Sequence, residues 1–257
     1  MAQIDARAVV DPAARLAEDV VVGPFCVIGP EVEIGAGTVL KSHVNIDGRT
    51  KIGAGCTIWP FASIGTQTQD LKYRGGSPGV SIGDETTLRE YVTVNAATDD
   101  GDDTIVGNKC HIMAYCHVAH DCVLGDEVIM ANAATLAGHV IVEDQAIIGG
   151  LVGVHQFVRV GRLSITGGCA KIVQDVPPFM TADGNPLAIR GINKIGLERR
   201  GIPPETIRAL KEAYRLLYRR KLGVKDMVAE MKASLPDTPE INHLETFLTS
   251  SERGVTR

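Results

Sequence analysis

The sequence predicts an all-β solenoid of stacked coils, followed by a small α-helical domain. Three observations carry this prediction: an aliphatic residue recurs every six positions, a small or β-branched residue recurs four positions later, and both columns stop near residue 172. A hexapeptide that buries two side chains and then turns is one face of a coil. Three such faces close a triangular coil, and neighbouring coils stack about 4.8 Å apart.

The aliphatic column starts at Ile4 and has 26 positions, of which 24 are Ile, Leu or Val. These three types make up 66 of the 257 residues, so chance would place only about seven of them there. The period is interrupted at residues 66–81 and 96–105 and returns in phase each time. Both interruptions are polar and rich in Gly or Asp, which predicts loops extruded from the solenoid, where functional residues tend to lie.

The cysteines follow the same columns. Five of the six occupy the small inward column: Cys26, Cys56, Cys110, Cys116 and Cys122. We therefore interpret them as buried core residues rather than as metal ligands, because a free cysteine packs like a small hydrophobe. Cys169 lies outside that column and is left unassigned.

Composition excludes several classes of protein. No apolar run approaches the roughly 18 residues of a membrane span, and the N-terminus lacks the basic and apolar run of a signal peptide. We therefore expect a cytoplasmic protein without a transmembrane segment. The net charge of −5 argues against nucleic acid as a partner.

Beyond Val176-Pro177-Pro178 the six-residue period ends, and the predicted domains are a solenoid over 1–188 and a helical domain over 189–257. Helical spacing starts near Pro203-Pro204, with further helices predicted over 224–234 and after Thr238-Pro239. Residues 190–225 carry eleven Lys or Arg and three Glu, a net charge of +8 that leaves −13 on the rest. This stretch is either a solvated helix surface or a docking surface for an acidic partner or a phosphorylated ligand.

Five of the seven histidines lie between residues 111 and 155: His111, His117, His120, His139 and His155. None occupies an inward column, so we expect them on the solenoid surface, where histidine can transfer protons near neutral pH. Asp121 directly follows His120, and a neighbouring carboxylate can orient an imidazole base. Gly138 lies one coil further on, so its N–H could act as an oxyanion donor beside His120.

Several motifs resemble one family over essentially the whole chain. They are Gln69-Asp-Leu-Lys-Tyr73, His117-Val-Ala-His-Asp-Cys122, Asn132-Ala-Ala-Thr-Leu-Ala-Gly-His139, Val154-His-Gln-Phe157, Gln174-Asp-Val-Pro-Pro178 and Gly196-Leu-Glu-Arg-Arg-Gly201. Together with the repeats, they are similar to the acyl-carrier-protein–UDP-N-acetylglucosamine O-acyltransferases of lipid A biosynthesis. The resemblance implies a left-handed parallel β-helix assembled as a homotrimer, with active sites between neighbouring subunits.

The resemblance also implies roles for individual residues. His120 would be the general base for the sugar 3-hydroxyl, Asp121 would orient it, and the N–H of Gly138 would bind the oxyanion during attack on an (R)-3-hydroxyacyl carrier protein. The implied sugar and acyl contacts are Asp70, Lys72, His117, His139, His155 and Gln156, and the implied nucleotide contacts are Asn193, Arg199 and Arg200. No metal or cofactor is implied beyond the phosphopantetheine of the carrier.

The sequence departs from the family pattern at two positions that bear on specificity. Asn95 and Pro186 stand where many relatives carry histidine. Asn95 leaves a 3-amino sugar open as acceptor, whereas Pro186 and Gly168 bear on acyl-chain length, with Gly168 favouring a deeper groove.

Three other functions are compatible with parts of this sequence. A γ-carbonic-anhydrase-type zinc hydrase would use His117, His120 and His155 as zinc ligands, but it would not explain the basic stretch. An N-acyltransferase of the next stages of the pathway would carry an extra N-terminal domain. A non-catalytic scaffold trimer would not need His120.

Overall fold

The computed structural model describes residues 2–220 and 222–257. It contains 28 short strands: β1 (Gln3–Ile4), β2 (Val9–Val10), β3 (Arg15–Leu16), β4 (Val21–Val22), β5 (Val27–Ile28), β6 (Glu33–Ile34), β7 (Val39–Leu40), β8 (Asn45–Ile46), β9 (Arg49–Ile52), β10 (Thr57–Ile58), β11 (Ser63–Thr66), β12 (Gly79–Ile82), β13 (Thr87–Leu88), β14 (Thr93–Asn95), β15 (Asp103–Val106), β16 (His111–Ile112), β17 (His117–Val118), β18 (Val123–Leu124), β19 (Ile129–Met130), β20 (Thr135–Leu136), β21 (Ile141–Val142), β22 (Ile147–Ile148), β23 (Gly153–Val154), β24 (Arg159–Val160), β25 (Ile165–Thr166), β26 (Lys171–Ile172), β27 (Met180–Asp183) and β28 (Ala188–Ile192). Four helices follow: α1 (Lys194–Arg199), α2 (Pro204–Arg219), α3 (Val224–Ser234) and α4 (Pro239–Thr249). None of these described helices is long and apolar enough to cross a membrane.

Every third strand joins the same parallel sheet, so the chain winds around a triangular prism. The first sheet runs from β1 through β4 to β25 and then β27, the second from β2 to β26, and the third from β3 to β24. In the second sheet, Ile46 pairs with Ile28 on one side and with Ile64 on the other. This register stacks the aliphatic column of the sequence into the core of a parallel β-helix.

Burial confirms the six-residue column as the core. Of the column residues, Ile46, Ile58, Ile112 and Leu136 are fully buried. The first coil is the exception, with Ile4 48% exposed and Val10 and Leu16 half-buried, because no coil lies beneath it to cover it. The core is therefore built of thin repeated aliphatic layers, in keeping with an aromatic content of only 4%.

The cysteines of the small column are buried, as predicted. Each thiol lies near a carbonyl of the next coil, as Cys116 Sγ does at 3.1 Å from the Ala131 oxygen. Thr38 makes the same contact with Gly53, at 2.8 Å, so Thr and Cys serve one role in this column. Burial raises the pKa of Cys116 to about 11 and that of Cys122 to about 12, which keeps both thiols protonated at neutral pH.

Three edges join the three sheets, and each has its own character. We call the edge between the second and third sheets the catalytic edge, that between the third and first sheets the helical edge, and that between the first and second sheets the aromatic edge. A column of stacked rings follows the aromatic edge, with centroids 4.8–4.9 Å apart in Phe25, His43, Phe61, Tyr91 and Tyr115. Each of these residues has a positive φ, which the turn at this edge imposes on one residue per coil.

The prism continues past the point where the six-residue period ends. Val176 bridges to Val160, and β27 adds a parallel strand to the first sheet beside β25, so the proline pair at 177–178 does not end the solenoid. Strand β28 then pairs antiparallel with β27 and spans the predicted boundary at residue 188. Helices α3 and α4 match the predicted segments, whereas α1 was not predicted.

Candidate active site

Both predicted loops and the histidine-bearing turns lie on the catalytic edge. Residues 67–78 connect β11 to β12 and residues 96–102 connect β14 to β15, so each loop leaves the second sheet and returns to the third. The turns at 119–122, 137–140 and 155–158 join the same two sheets on the following coils. The loops therefore meet His120, His139 and His155 at one edge of the prism, whereas His111 lies on the first sheet.

His120 and Asp121 form a hydrogen-bonded pair at this edge. His120 Nδ1 lies 2.7 Å from Asp121 Oδ2, and Oδ1 of Asp121 accepts the N–H of Thr98 at 3.0 Å. Burial raises the pKa of Asp121, but the hydrogen bonds from His120 and Thr98 outweigh it and hold that pKa below its ordinary value. Because an ionised carboxylate only accepts hydrogen bonds, Nδ1 of His120 carries the proton and Nε2 presents its lone pair.

A threonine pair that the sequence did not predict links the two loops to this base. Thr98 Oγ1 lies 3.1 Å from His120 Nδ1 and 3.2 Å from Thr68 Oγ1. Thr68 Oγ1 in turn accepts the N–H of Asp70 at 3.1 Å. Counting the strands between the two loops would have placed both loops, and hence both threonines, on the catalytic edge. The sequence pattern therefore held a signal for this pair.

Gly138 lies directly beneath the imidazole of His120. A Cβ built on Gly138 would lie 2.5 Å from His120 Nε2, so only glycine leaves room for the ring. The N–H of Gly138 has no hydrogen-bond acceptor in the described part of the chain. An unpaired N–H beside a free imidazole nitrogen is suited to bind an oxyanion.

Two further histidines flank the pair. His139 Nε2 lies 3.6 Å from Asp121 Oδ2, and the ring of His139 stacks on Phe157 with centroids 4.6 Å apart. His117 Nδ1 lies 2.7 Å from the Thr93 hydroxyl. Burial, followed by the charge of His120, lowers the pKa of His117, which favours a neutral ring there.

The other residues predicted to bind sugar and acyl groups lie on or near the same edge. The Asp70 carboxylate approaches His120 and His139, and its Oδ1 accepts the N–H of Lys72 at 2.9 Å. The side chain of Lys72 is exposed, and so are those of His155 and Gln156, one coil beyond Gly138.

The three residues predicted to contact the nucleotide lie on the helical edge instead. Asn193 caps α1 by accepting the N–H of Gly196 at 3.1 Å, and its Nδ2 donates to the Leu163 carbonyl at 2.9 Å. Arg200 pairs with Glu127 on the same edge, and Arg199 ends α1 beside it. A single chain therefore does not bring these residues to His120.

The two predicted determinants of acyl length lie elsewhere. Gly168 is exposed in the turn at residues 167–170 of the aromatic edge, and a Cβ there would lie 3.2 Å from the Gly150 carbonyl. Pro186 is exposed in the turn between β27 and β28, at the C-terminal end of the first sheet.

Asn95 anchors the first loop. Its Nδ2 donates to Thr66 Oγ1 and to the Gln67 carbonyl, both at 3.1 Å. Its Oδ1 is buried and has no hydrogen-bond partner among the described residues. A buried, unpaired acceptor is costly unless a ligand satisfies it.

The zinc-ligand hypothesis for His117, His120 and His155 is wrong. The His155 ring is exposed and faces the Gln156 carbonyl, whereas His117 is held by Thr93. Within the described residues, the one cluster of three ligand side chains close enough for a metal is Asp70, His120 and His139.

A stripe of cations runs along α2. Arg208, Lys211, Arg215 and Arg219 are exposed and recur at helical spacing, which places them on one side of the helix. The opposite side of α2 buries Ile207, Leu210 and Leu217. We call these four cations the basic stripe.

Comparison with known proteins identifies the family. A family model for UDP N-acetylglucosamine O-acyltransferase, domain 2, matches residues 175–256, and a model for bacterial transferase hexapeptides matches residues 13–48 and 103–138. The acyl-[acyl-carrier-protein]–UDP-N-acetylglucosamine O-acyltransferase of Thermodesulfovibrio yellowstonii is 50% identical over 258 residues, with both chains covered completely. The chain belongs to this acyltransferase family.

Other members agree with this assignment. The O-acyltransferase of Stutzerimonas stutzeri is 45% identical over the full length of both chains. Among solved structures, LpxA from Acinetobacter baumannii superposes with a TM-score of 0.96 at 41% identity and covers 99% of each chain. LpxA from Bacteroides fragilis gives 0.97 at 39% identity and covers 99% of this chain and 100% of its own. The fold is the left-handed parallel β-helix of these acyltransferases, and the chain is an acyltransferase.

Proposed function

We propose that this acyltransferase moves an (R)-3-hydroxyacyl chain from acyl carrier protein to the 3-position of UDP-N-acetylglucosamine, the first step of lipid A biosynthesis. The names of the relatives given above contain both acyl carrier protein and UDP-N-acetylglucosamine. One observation carries the proposal: the free Nε2 of His120 and the unpaired N–H of Gly138 lie side by side on the catalytic edge.

The chemistry follows from these two groups. His120 Nε2 takes the proton of the sugar 3-hydroxyl while the oxygen attacks the thioester carbonyl. The N–H of Gly138 binds the oxyanion of the tetrahedral intermediate. Its collapse breaks the carbon–sulfur bond, and the imidazolium returns the proton to the departing thiolate. Asp121 fixes the imidazole tautomer and stabilises the imidazolium.

Direct transfer fits the surroundings of His120. The Thr98 hydroxyl contacts Nδ1, on the Asp121 side of the ring, and so does not face the proton-accepting Nε2. The thiols of the inward column are buried in the core, Cys122 of the catalytic edge included, and their pKa values are raised. Neither group is placed to form the acyl-enzyme intermediate of covalent catalysis.

The basic stripe is the proposed docking surface for acyl carrier protein. Four exposed cations on one helix face complement an acidic protein surface and accelerate encounter by long-range attraction. Among the described residues, only Arg215 of the four has a short contact to an acid, Glu212 at 2.9 Å, so most of the stripe's charge is open to a partner.

We further propose that the active form is a homotrimer. The base lies on the catalytic edge and the predicted nucleotide contacts lie on the helical edge, so a second chain must supply one of the two sets. The aromatic edge adds an exposed apolar stripe, with Tyr115 at 62% and Leu151 at 66% exposure, which is typical of a protein–protein contact. Light scattering of the purified protein should give three times the chain mass.

A substrate panel tests the proposed reaction. Hydroxyacyl carrier proteins of several chain lengths are offered with UDP-N-acetylglucosamine or with its 3-amino analogue. We expect the ester product, formed without added metal or cofactor. The unpaired Oδ1 of Asn95 keeps the amine acceptor as the second candidate, and an exclusive amide product would favour it. Absence of both products would contradict the proposed function.

A further inference from the structure

Three side chains at the catalytic edge form a cluster with the composition of a metal site. Asp70 comes from the first loop, His120 from one coil and His139 from the next, and one ligand atom from each lies within 4.8 Å of the other two. All three side chains are half-buried. Tetrahedral zinc ligands stand about 3.4 Å apart, so side-chain rotations close the remaining distance.

The hydrogen bonds around the cluster favour coordination. Asp121 holds the proton of His120 on Nδ1, which leaves Nε2 as a ligand, and metal-bound histidines commonly carry such a carboxylate behind them. Oδ1 of Asp70 accepts the N–H of Lys72, so Oδ2 remains available. The hydrogen bond between His120 and Asp121, which leaves Nε2 free to accept a proton, therefore also leaves it free to bind a metal.

The charge and softness of the three ligands determine which metal ion the cluster prefers. Two imidazoles and a carboxylate suit Zn²⁺ and Co²⁺, whereas Mg²⁺ and Ca²⁺ prefer oxygen ligands. Asp121, whose Oδ2 lies 3.6 Å from His139 Nε2, adds a second negative charge next to the cluster. The local field therefore attracts a divalent cation.

We propose that Asp70, His120 and His139 bind Zn²⁺ and that the bound ion inhibits the enzyme. Zinc on Nε2 of His120 takes the lone pair that must accept the sugar proton. It also occupies the space beside the Gly138 N–H. The binding half of the proposal, that these residues bind Zn²⁺, is argued from the cluster alone. The inhibitory half, that the bound ion blocks transfer, rests on the proposed function.

Cobalt absorption tests the binding half without any activity measurement. The full-length protein, treated with chelator and dialysed, is titrated with Co²⁺, and the visible bands of tetrahedral cobalt are followed until Zn²⁺ displaces them. We expect Asp70→Asn and His139→Ala each to weaken Co²⁺ binding at least tenfold. His155→Ala, an exposed histidine of the same edge, should leave binding unchanged.

Melting temperatures check that each variant folds. Absence of tetrahedral bands in the folded wild-type protein would overturn the site, and so would equal Co²⁺ affinity in wild-type, Asp70→Asn and His139→Ala proteins.

Transfer assays on the wild-type enzyme test the inhibitory half. Zn²⁺ should abolish transfer at concentrations that displace Co²⁺, EDTA should restore it, and Mg²⁺ should have no effect. Full activity with the site saturated by zinc would overturn inhibition. A chelator-treated enzyme that binds Co²⁺ but transfers no acyl chain to any offered sugar would instead contradict the proposed function and leave the metal site standing.

Discussion

The imidazole of His120 rests on the α-carbon of Gly138, eighteen residues and one coil later in the chain. A Cβ at residue 138 would lie 2.5 Å from Nε2 and 3.0 Å from Nδ1, so the glycine is what lets the base approach the oxyanion donor. The stacking of coils sets this contact, and the proposed chemistry depends on it.

Gly138→Ala should lower kcat at least a hundredfold, because the methyl group displaces the imidazole from the position where base and N–H act together. The melting temperature should change little, since the turn lies at the surface of the prism. Steady-state kinetics and thermal unfolding check both statements. Gly153→Ala is the matched control, because a Cβ there meets no atom within 4 Å. Equal losses in the two variants would show that the contact with His120 is not the cause.

Thr98→Val should reduce kcat about tenfold while leaving KM for both substrates near the wild-type value. The substitution removes the hydroxyl that contacts His120 and Thr68 but keeps the N–H that binds Asp121. Thr57→Val, on the outer surface of the first sheet, serves as control. A rise in KM with unchanged kcat would mean that Thr98 binds substrate rather than positioning the base.

The repeat was predictable from sequence because each buried column is a local pattern with a fixed period. The pair His120–Asp121 and its partner Gly138 were found for the same reason, since one coil spans eighteen residues. Thr68 and Thr98 were missed because irregular loops carry no period, and their contact joins residues thirty positions apart. Helix α1 was missed because six residues, one of them Gly196, give too short a pattern.

Arg215→Glu should raise KM for acyl carrier protein several-fold, because it places a negative charge in the middle of the basic stripe. The effect should diminish with added salt, which screens exposed charges. KM for the nucleotide sugar should not change. Lys51→Glu makes the same change in net charge on the third sheet, far from α2, and should behave as wild type. An identical KM increase in both variants would point to net charge rather than to a docking surface.

Glu143 joins the solenoid to α4, and its loss should destabilise the protein at neutral pH. Its Oε2 lies 2.7 Å from His243 Nε2 and accepts the N–H of Arg162 at 2.8 Å. Glu143→Gln should lower the free energy of unfolding by about 2 kcal/mol, the size of a hydrogen bond to a charged group. Urea denaturation measures it, with the exposed Glu252→Gln as control.

The pH dependence of that loss has a defined sign. Burial raises the pKa of Glu143, but the hydrogen bonds from His243 and Arg162 and the charge of Arg159 outweigh it and leave the pKa below its usual 4.5. The carboxylate therefore contributes fully above that value, and its contribution disappears as pH falls through the lower folded-state pKa. The difference in free energy of unfolding between wild type and Glu143→Gln should narrow below pH 4.5. A difference that does not change with pH would contradict stabilisation by the ionised carboxylate of Glu143.

The pH profile of kcat/KM for wild-type and His120→Ala enzyme tests the central claim most directly. With (R)-3-hydroxyacyl carrier protein and UDP-N-acetylglucosamine as substrates, wild-type activity should fall in acid, because a protonated imidazole cannot accept the sugar proton. The folded variant should lose about 10²–10⁴-fold at neutral pH and show no such acid limb. A His120→Ala enzyme with wild-type kcat/KM, or with the same acid limb, would contradict general-base catalysis by His120.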